Sequence, residues 1–132
     1  MSRAVIRCED APVPIHAVSQ AIVSGDIVQI SGQGPLDPAT MKCVDGGITE
    51  QTTAVLGHLM TIVESAGGAF EDIVMIRIYL SSDENFDAMN EAYDRFVIEH
   101  ASEAFPCRTT IIAGLVRADM LIEMDAMAIV SN

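Results

Sequence analysis

The sequence predicts an α/β fold of the α+β kind: one six-stranded mixed sheet with two helices on one face, in the order β-β-β-α-β-α-β-β. Three observations carry this prediction. The chain has 132 residues, the usual size of one core, so residues 1–132 read as a single domain. Two segments repeat apolar residues at three- and four-residue spacing, one stripe each, as amphipathic helices do. The other apolar segments are short and bounded by Gly, Pro and Asp, as strands are.

Each element follows from its residues. Ala4–Cys8 is the first strand, and Pro12 and Pro14 break regular structure after it. Gln20–Val23 and Ile27–Ser31 form a hairpin across Ser24–Gly25–Asp26, because a Gly-Asp turn between apolar runs is a hairpin signal. The stretch from Gly32 to Gly47 is rich in Gly, Pro and Asp and reads as a loop. A helix then covers Thr49–Ala66, with Val55, Leu56, Leu59, Ile62, Val63 and Ala66 on one face. Thr49 can cap its start and Gly67–Gly68 stops it. Ile73–Leu80 reads as a strand buried on both faces. Ser82–Asp83 caps a second helix whose stripe is Phe86, Met89, Tyr93, Phe96, Val97 and His100. Thr109–Val116 and Met120–Val130 are the last strands, joined by the turn Arg117–Ala118–Asp119. Two helices cannot cover both faces of such a sheet, so a second face this apolar calls for another subunit.

Composition excludes several classes of function. Half the residues are hydrophobic and a fifth charged, a globular balance. No apolar run is long enough to span a bilayer, and no membrane partner is expected. Arg3, Arg7, Glu9 and Asp10 interrupt any signal-peptide core, so a cytoplasmic location is expected. The three cysteines, Cys8, Cys43 and Cys107, are odd in number and lack CxxC spacing, against a disulfide framework or structural zinc. His16, His58 and His100 are isolated, so no metal site is expected. Nineteen acids against seven bases give a net charge of −12, and no basic cluster offers a phosphate backbone its counter-charge.

The candidate chemistry lies near the C-terminus. Along Met120–Val130, alternation puts Glu123 and Asp125 on one face with Leu121, Met127 and Ile129. Carboxylates amid large apolar groups must be paired, solvated or functional. Arg108 follows Phe105–Pro106–Cys107 at the mouth of the preceding strand. A guanidinium held there can take a carboxylate through two parallel hydrogen bonds, or else form a salt bridge with Glu123 or Asp125. Cys107 beside it is either an activated thiol or a small packing residue. Ser31–Gly32–Gln33–Gly34 contains a GxG, but Pro35 follows in place of a helix, which excludes a dinucleotide site.

The segments Ile30–Ser31–Gly32–Gln33, Asn90–Glu91–Ala92–Tyr93, Phe105–Pro106–Cys107–Arg108–Thr109 and Ile122–Glu123–Met124–Asp125–Ala126 together resemble the YjgF/RidA family over nearly the whole chain. The resemblance implies a chorismate-mutase-like fold and a homotrimer with three sites in clefts between subunits. It implies hydrolysis of 2-imino acids or enamines to 2-oxo acids and ammonia, without metal or cofactor. Arg108 would bind the substrate carboxylate and Glu123 would position the attacking water. Ser31, Gly32, Asn90, Cys107, Thr110 and Val18 would line the substrate cleft. Val18 stands where well-known members carry a tyrosine, Thr110 where some carry a cysteine, and Val116 where a proline is usual, which marks a divergent branch. Two other classes within the family stay open: a non-catalytic ligand-binding or chaperone-like regulatory trimer, and an endoribonuclease that inhibits translation. The net charge of −12 weighs against the last.

Overall fold

A computed structural model describes residues 3–131 of the chain. Six strands form one mixed sheet: β1 (Ala4–Ile6), β2 (Ala21–Ser24), β3 (Ile27–Gln33), β4 (Ile73–Leu80), β5 (Cys107–Ile112) and β6 (Ile122–Ile129). Two helices, α1 (Ile48–Ser65) and α2 (Phe86–Ala101), pack on one face. Gly25, with a φ of 59°, makes the tight β2–β3 turn that a side chain would strain. Spatial order is β1-β2-β3-β6-β4-β5. β4 and β5 run parallel through the α2 crossover, and every other pairing is antiparallel.

The core lies between sheet and helices. Val28 and Ile30 of β3, Ile76, Ile78 and Leu80 of β4, and Ile122, Met124, Ala126 and Ala128 of β6 are buried there. They meet Val55, Leu56, Leu59, Ile62 and Val63 of α1 and Met89, Tyr93 and Val97 of α2. Apolar burial on this scale is the main force holding the layers together.

Four sequence expectations are corrected. β5 ends at Ile112 rather than Val116, because β5 is an edge strand and its partner ends at Leu80, opposite Ile112. The last strand starts at Ile122, since the Leu121 amide donates to the Gln51 side chain at 2.7 Å instead of joining the ladder. Residues 113–121 are therefore no hairpin turn; they carry the chain from the sheet edge, across the end of β4, to its centre. Ser82 caps the short 3-10 turn Asp83–Asn85 that leads into α2, and the start of α1 is held by the Glu50 side chain accepting from the Gly47 amide at 2.8 Å rather than by Thr49.

The uncovered face of the sheet also differs from expectation. Ile73–Leu80 does alternate: Ile76, Ile78 and Leu80 point into the core, while Met75, Arg77 and Tyr79 point away. The open face thus mixes Met75, Met127 and the exposed Ile129 with a central polar group of Arg77, Tyr79 and Asp125.

Candidate functional site

The register of β3 on β6 shifts between Ile30, opposite Ala126, and Gln33, opposite Met124. Ser31 and Gly32 thus occupy the space facing one residue, a β-bulge that kinks the strand. Glu123 of β6 leans over it. A Cβ on Gly32 would come within 3.2 Å of Glu123 Cδ and closer still to Oε2. Only glycine leaves that carboxyl its place against the backbone. Burial first, then the charge of Asp125, pushes the Glu123 carboxyl above its ordinary range.

Asp125, two residues along, has the opposite environment. Arg77 Nε donates to Oδ1 at 2.7 Å and the Tyr79 hydroxyl donates to Oδ2 at 2.7 Å. One acid is tied on both oxygens, whereas no described residue bonds the carboxylate of Glu123.

Arg108 lies on β5, level with the core residue Ile76, and so on the helix-covered face. Its guanidinium carbon stands 4.7 Å from the centre of the Tyr93 ring, a cation–π stack that holds the group without neutralising it. No described carboxylate lies within salt-bridge range of it. A groove of about 380 Å³ runs beside it, lined by Val97, Ile98, Phe105 and Pro106. Thr110 shares this face of β5, and Asn90 lies one turn before Tyr93 on α2. Thr110 Oγ1 and Asn90 Oδ1 are buried without hydrogen-bond partners, a state that calls for a further donor or acceptor.

The sequence-derived site residues therefore fall into two groups. Glu123, Gly32, Ser31 and Val18 surround the bulge. Ser31 Oγ donates to the Ser19 carbonyl at 2.6 Å, and Val18 is exposed. Arg108, Thr110 and Asn90 gather at the β5 edge. The strands of Arg108 and Glu123 are not neighbours, because β4 lies between them, and the two side chains leave the sheet on opposite faces. A salt bridge between them in one chain is excluded, and Asp125 takes Arg77 instead. Cys107 is a free thiol on the face away from Arg108. His16 is exposed in the loop before β2. Among the described residues, no group of three or more His, Cys, Asp or Glu side chains is placed to hold a metal ion. No helix is long and apolar enough to cross a membrane among the described residues.

The family model for endoribonuclease L-PSP matches residues 8–130. A RutC family protein of Pyrococcus abyssi is 39% identical over 128 residues, covering 97% of this chain and 98% of that one. Among solved structures, RidA from an Antarctic Psychrobacter superposes with a TM-score of 0.86 at 28% identity, covering 96% of this chain and 99% of the other. TdcF of E. coli, solved with bound serine, reaches 0.90 at 27% identity, covering 97% and 99%.

The chain belongs to the YjgF/RidA family. Within this YjgF/RidA chain, Tyr93 went unrecognised as the platform for Arg108 because its helical spacing files it with the core stripe. Arg77 and Tyr79 were hidden in a run that looked uniformly apolar. The signal was present, since they occupy alternate positions of that run.

Proposed function

We propose that the protein is a deaminase that hydrolyses 2-imino acids or their enamines, and that each site is composed from two copies of the chain in a homotrimer. The observation that carries this reading is the pair of unpaired charges: Glu123 on the open face and Arg108 on the helix-covered face, neither with an opposite partner. A site that uses both needs the Arg108 edge of one copy against the Glu123 bulge of the next. The orphaned Asn90 Oδ1 and Thr110 Oγ1 and the serine held by the TdcF relative support a small amino-acid-like ligand at that seam.

Arg108 binds the substrate carboxylate with two parallel hydrogen bonds, which fixes the plane of the imine. Glu123 holds a water over that plane and takes one of its protons as the oxygen bonds to C2 and the C=N electron pair moves to nitrogen. The carboxyl passes that proton to the nitrogen of the resulting carbinolamine, then takes the hydroxyl proton as the carbonyl forms and the C–N bond breaks with its electron pair leaving on nitrogen. 2-Oxo acid and ammonia are released, and the ammonia carries off the last proton. A carboxyl with a raised pKa suits a group that must accept a proton and return it. The iminium carbon is already electrophilic, so positioning supplies most of what the reaction requires.

Mixing two inactive variants tests the composite site. Arg108→Ala and Glu123→Gln each lose hydrolysis of freshly generated 2-iminopropanoate. Subunit exchange between them restores intact sites at about a quarter of the seams, the statistical share for a head-to-tail interface. A mixture that stays inactive although mass spectrometry shows mixed trimers places both residues in one chain's site and sinks the proposal. The family's name, endoribonuclease L-PSP, favours ribonuclease action as a second reading. RNA cleavage that survives Glu123→Gln and Arg108→Ala would replace the deaminase reading.

A further inference from the structure

Beside the bulge lies a hollow of about 160 Å³ that shares Ser31 and Gly32 with it. Its walls are apolar: Pro12, Pro14, Val18, Leu36 and Met41. Among the described residues, no charged side chain lines it. The polar groups at its floor are almost all engaged. The Cys8 amide donates to Gln20 Oε1 at 2.7 Å, and Gln20 Nε2 donates to the carbonyls of Cys8 at 3.0 Å and Pro12 at 2.8 Å. Ser31 Oγ is turned to the Ser19 carbonyl, and Gln33 Nε2 donates to the Ser31 carbonyl at 3.0 Å. Gln33 Oε1 is a buried side-chain acceptor without a partner, and it repels another carboxylate.

The walls are also anchored. His58 Nε2 bonds the Leu36 carbonyl at 2.8 Å, fastening that wall to α1. Arg117 Nη1 donates to the Met41 carbonyl at 2.9 Å, fastening the same loop to the connection before β6. A wall loop fixed at two points takes a ligand group without first being ordered by it.

We infer that this hollow receives the substrate's side chain, and that the preferred substrates are 2-imino acids bearing an uncharged apolar group of about four to six carbons. The size follows from packing: an apolar cavity of about 150 Å³ accommodates a six-carbon ring. The placement rests on the reading of Arg108 and Glu123 above. A planar imine carbon has three substituents. The carboxylate goes to the arginine, and the water approaches perpendicular to the plane from Glu123. The side chain is then left at the Gly32 edge, where the hollow opens.

The test compares imines generated in place by an amino-acid oxidase from leucine, alanine and glutamate. The three extra carbons of leucine over alanine raise kcat/KM by about 10-fold or more when they are buried, and the glutamate imine falls below the alanine one. Val18→Asp, at the exposed rim, brings the leucine-to-alanine ratio toward one. A wild-type ratio near one, or glutamate preferred, overturns the side-chain subsite while leaving imine hydrolysis standing. If no imine is hydrolysed, the deaminase reading fails, and calorimetric titration of 4-methyl-2-oxopentanoate, pyruvate and 2-oxoglutarate decides the hollow alone. Tighter binding of the branched acid upholds it, and equal binding overturns it.

Discussion

The bulge around Glu123 and the β5 edge around Arg108 are built on different principles. At the bulge, the main chain shapes the site. An extra residue in β3, a glycine with no Cβ and a half-buried carboxyl are fixed by the pairing of two central strands. At the edge, side chains shape it. A guanidinium lies on a ring, and the strand beneath has a partner on one side only. The bulge is thus organised within one chain, while the edge carries an unneutralised cation beside two buried polar atoms that lack partners. One half is complete except for a charge, and the other is a charge with little enclosure. Under the proposed function, such halves complement each other between copies.

The comparison breaks most sharply on Glu123 and Arg108. In Glu123→Gln, imine hydrolysis falls by about 100-fold or more, the scale of a lost general base, while pyruvate still binds in a titration. In Arg108→Ala, binding of pyruvate itself disappears. Two variants that behave alike in both assays would erase the distinction between a water-side and a carboxylate-side half.

Next in size is Gly32→Ala. The new methyl displaces the Glu123 carboxyl, and a shift near 1 Å costs about 100-fold in rate at worst. Steady-state kinetics at saturating substrate, with circular dichroism unchanged, is the expected result. An unaffected kcat would mean that the carboxyl needs no fixed seat.

Asp125→Asn separates the two acids of β6. It removes the charge that helps raise the Glu123 pKa, so the acidic limb of the pH–rate profile moves to lower pH. It also weakens the clamp of Arg77 and Tyr79, and losing about 1 kcal/mol of hydrogen bonding lowers Tm by about 3 °C. A melt shift without a profile shift would reduce Asp125 to a purely structural role.

The smallest effect concerns the hollow. Burial lowers the His58 pKa below 6.5, so the folded state binds this proton less readily than the unfolded chain. The stability that neutral His58 contributes is present above pH 6.5 and is lost as pH falls through the folded value. Denaturant melts from pH 8 to 5 read that slope, and His58→Gln flattens it.

Much of this was legible in the sequence. Helical periodicity located α1 and α2, and the Gly25–Asp26 pair located the hairpin, because both signals are local. The strand order was not legible, since nothing in a linear pattern says that β6 inserts between β3 and β4. That one fact separates Arg108 from Glu123, which looked like neighbours because their strands are consecutive in the chain. The bulge escaped notice for the same reason: it exists only as a mismatch between two strands that lie far apart in sequence. Resemblance supplied the residue pair, and the fold supplied the faces they occupy.

The position of β6 also sets when the molecule can form. It is the last of the six strands to leave the ribosome, yet it fills the middle of the sheet, pairing with β3 across about a hundred residues. Until it arrives, the β1–β2–β3 and β4–β5 halves have no hydrogen bonds between them, and each offers a long bare edge to any other chain. Folding of this chain is consequently a late, non-local event of the slow kind. A nascent chain stalled before Ile122 should remain protease-sensitive along its whole length.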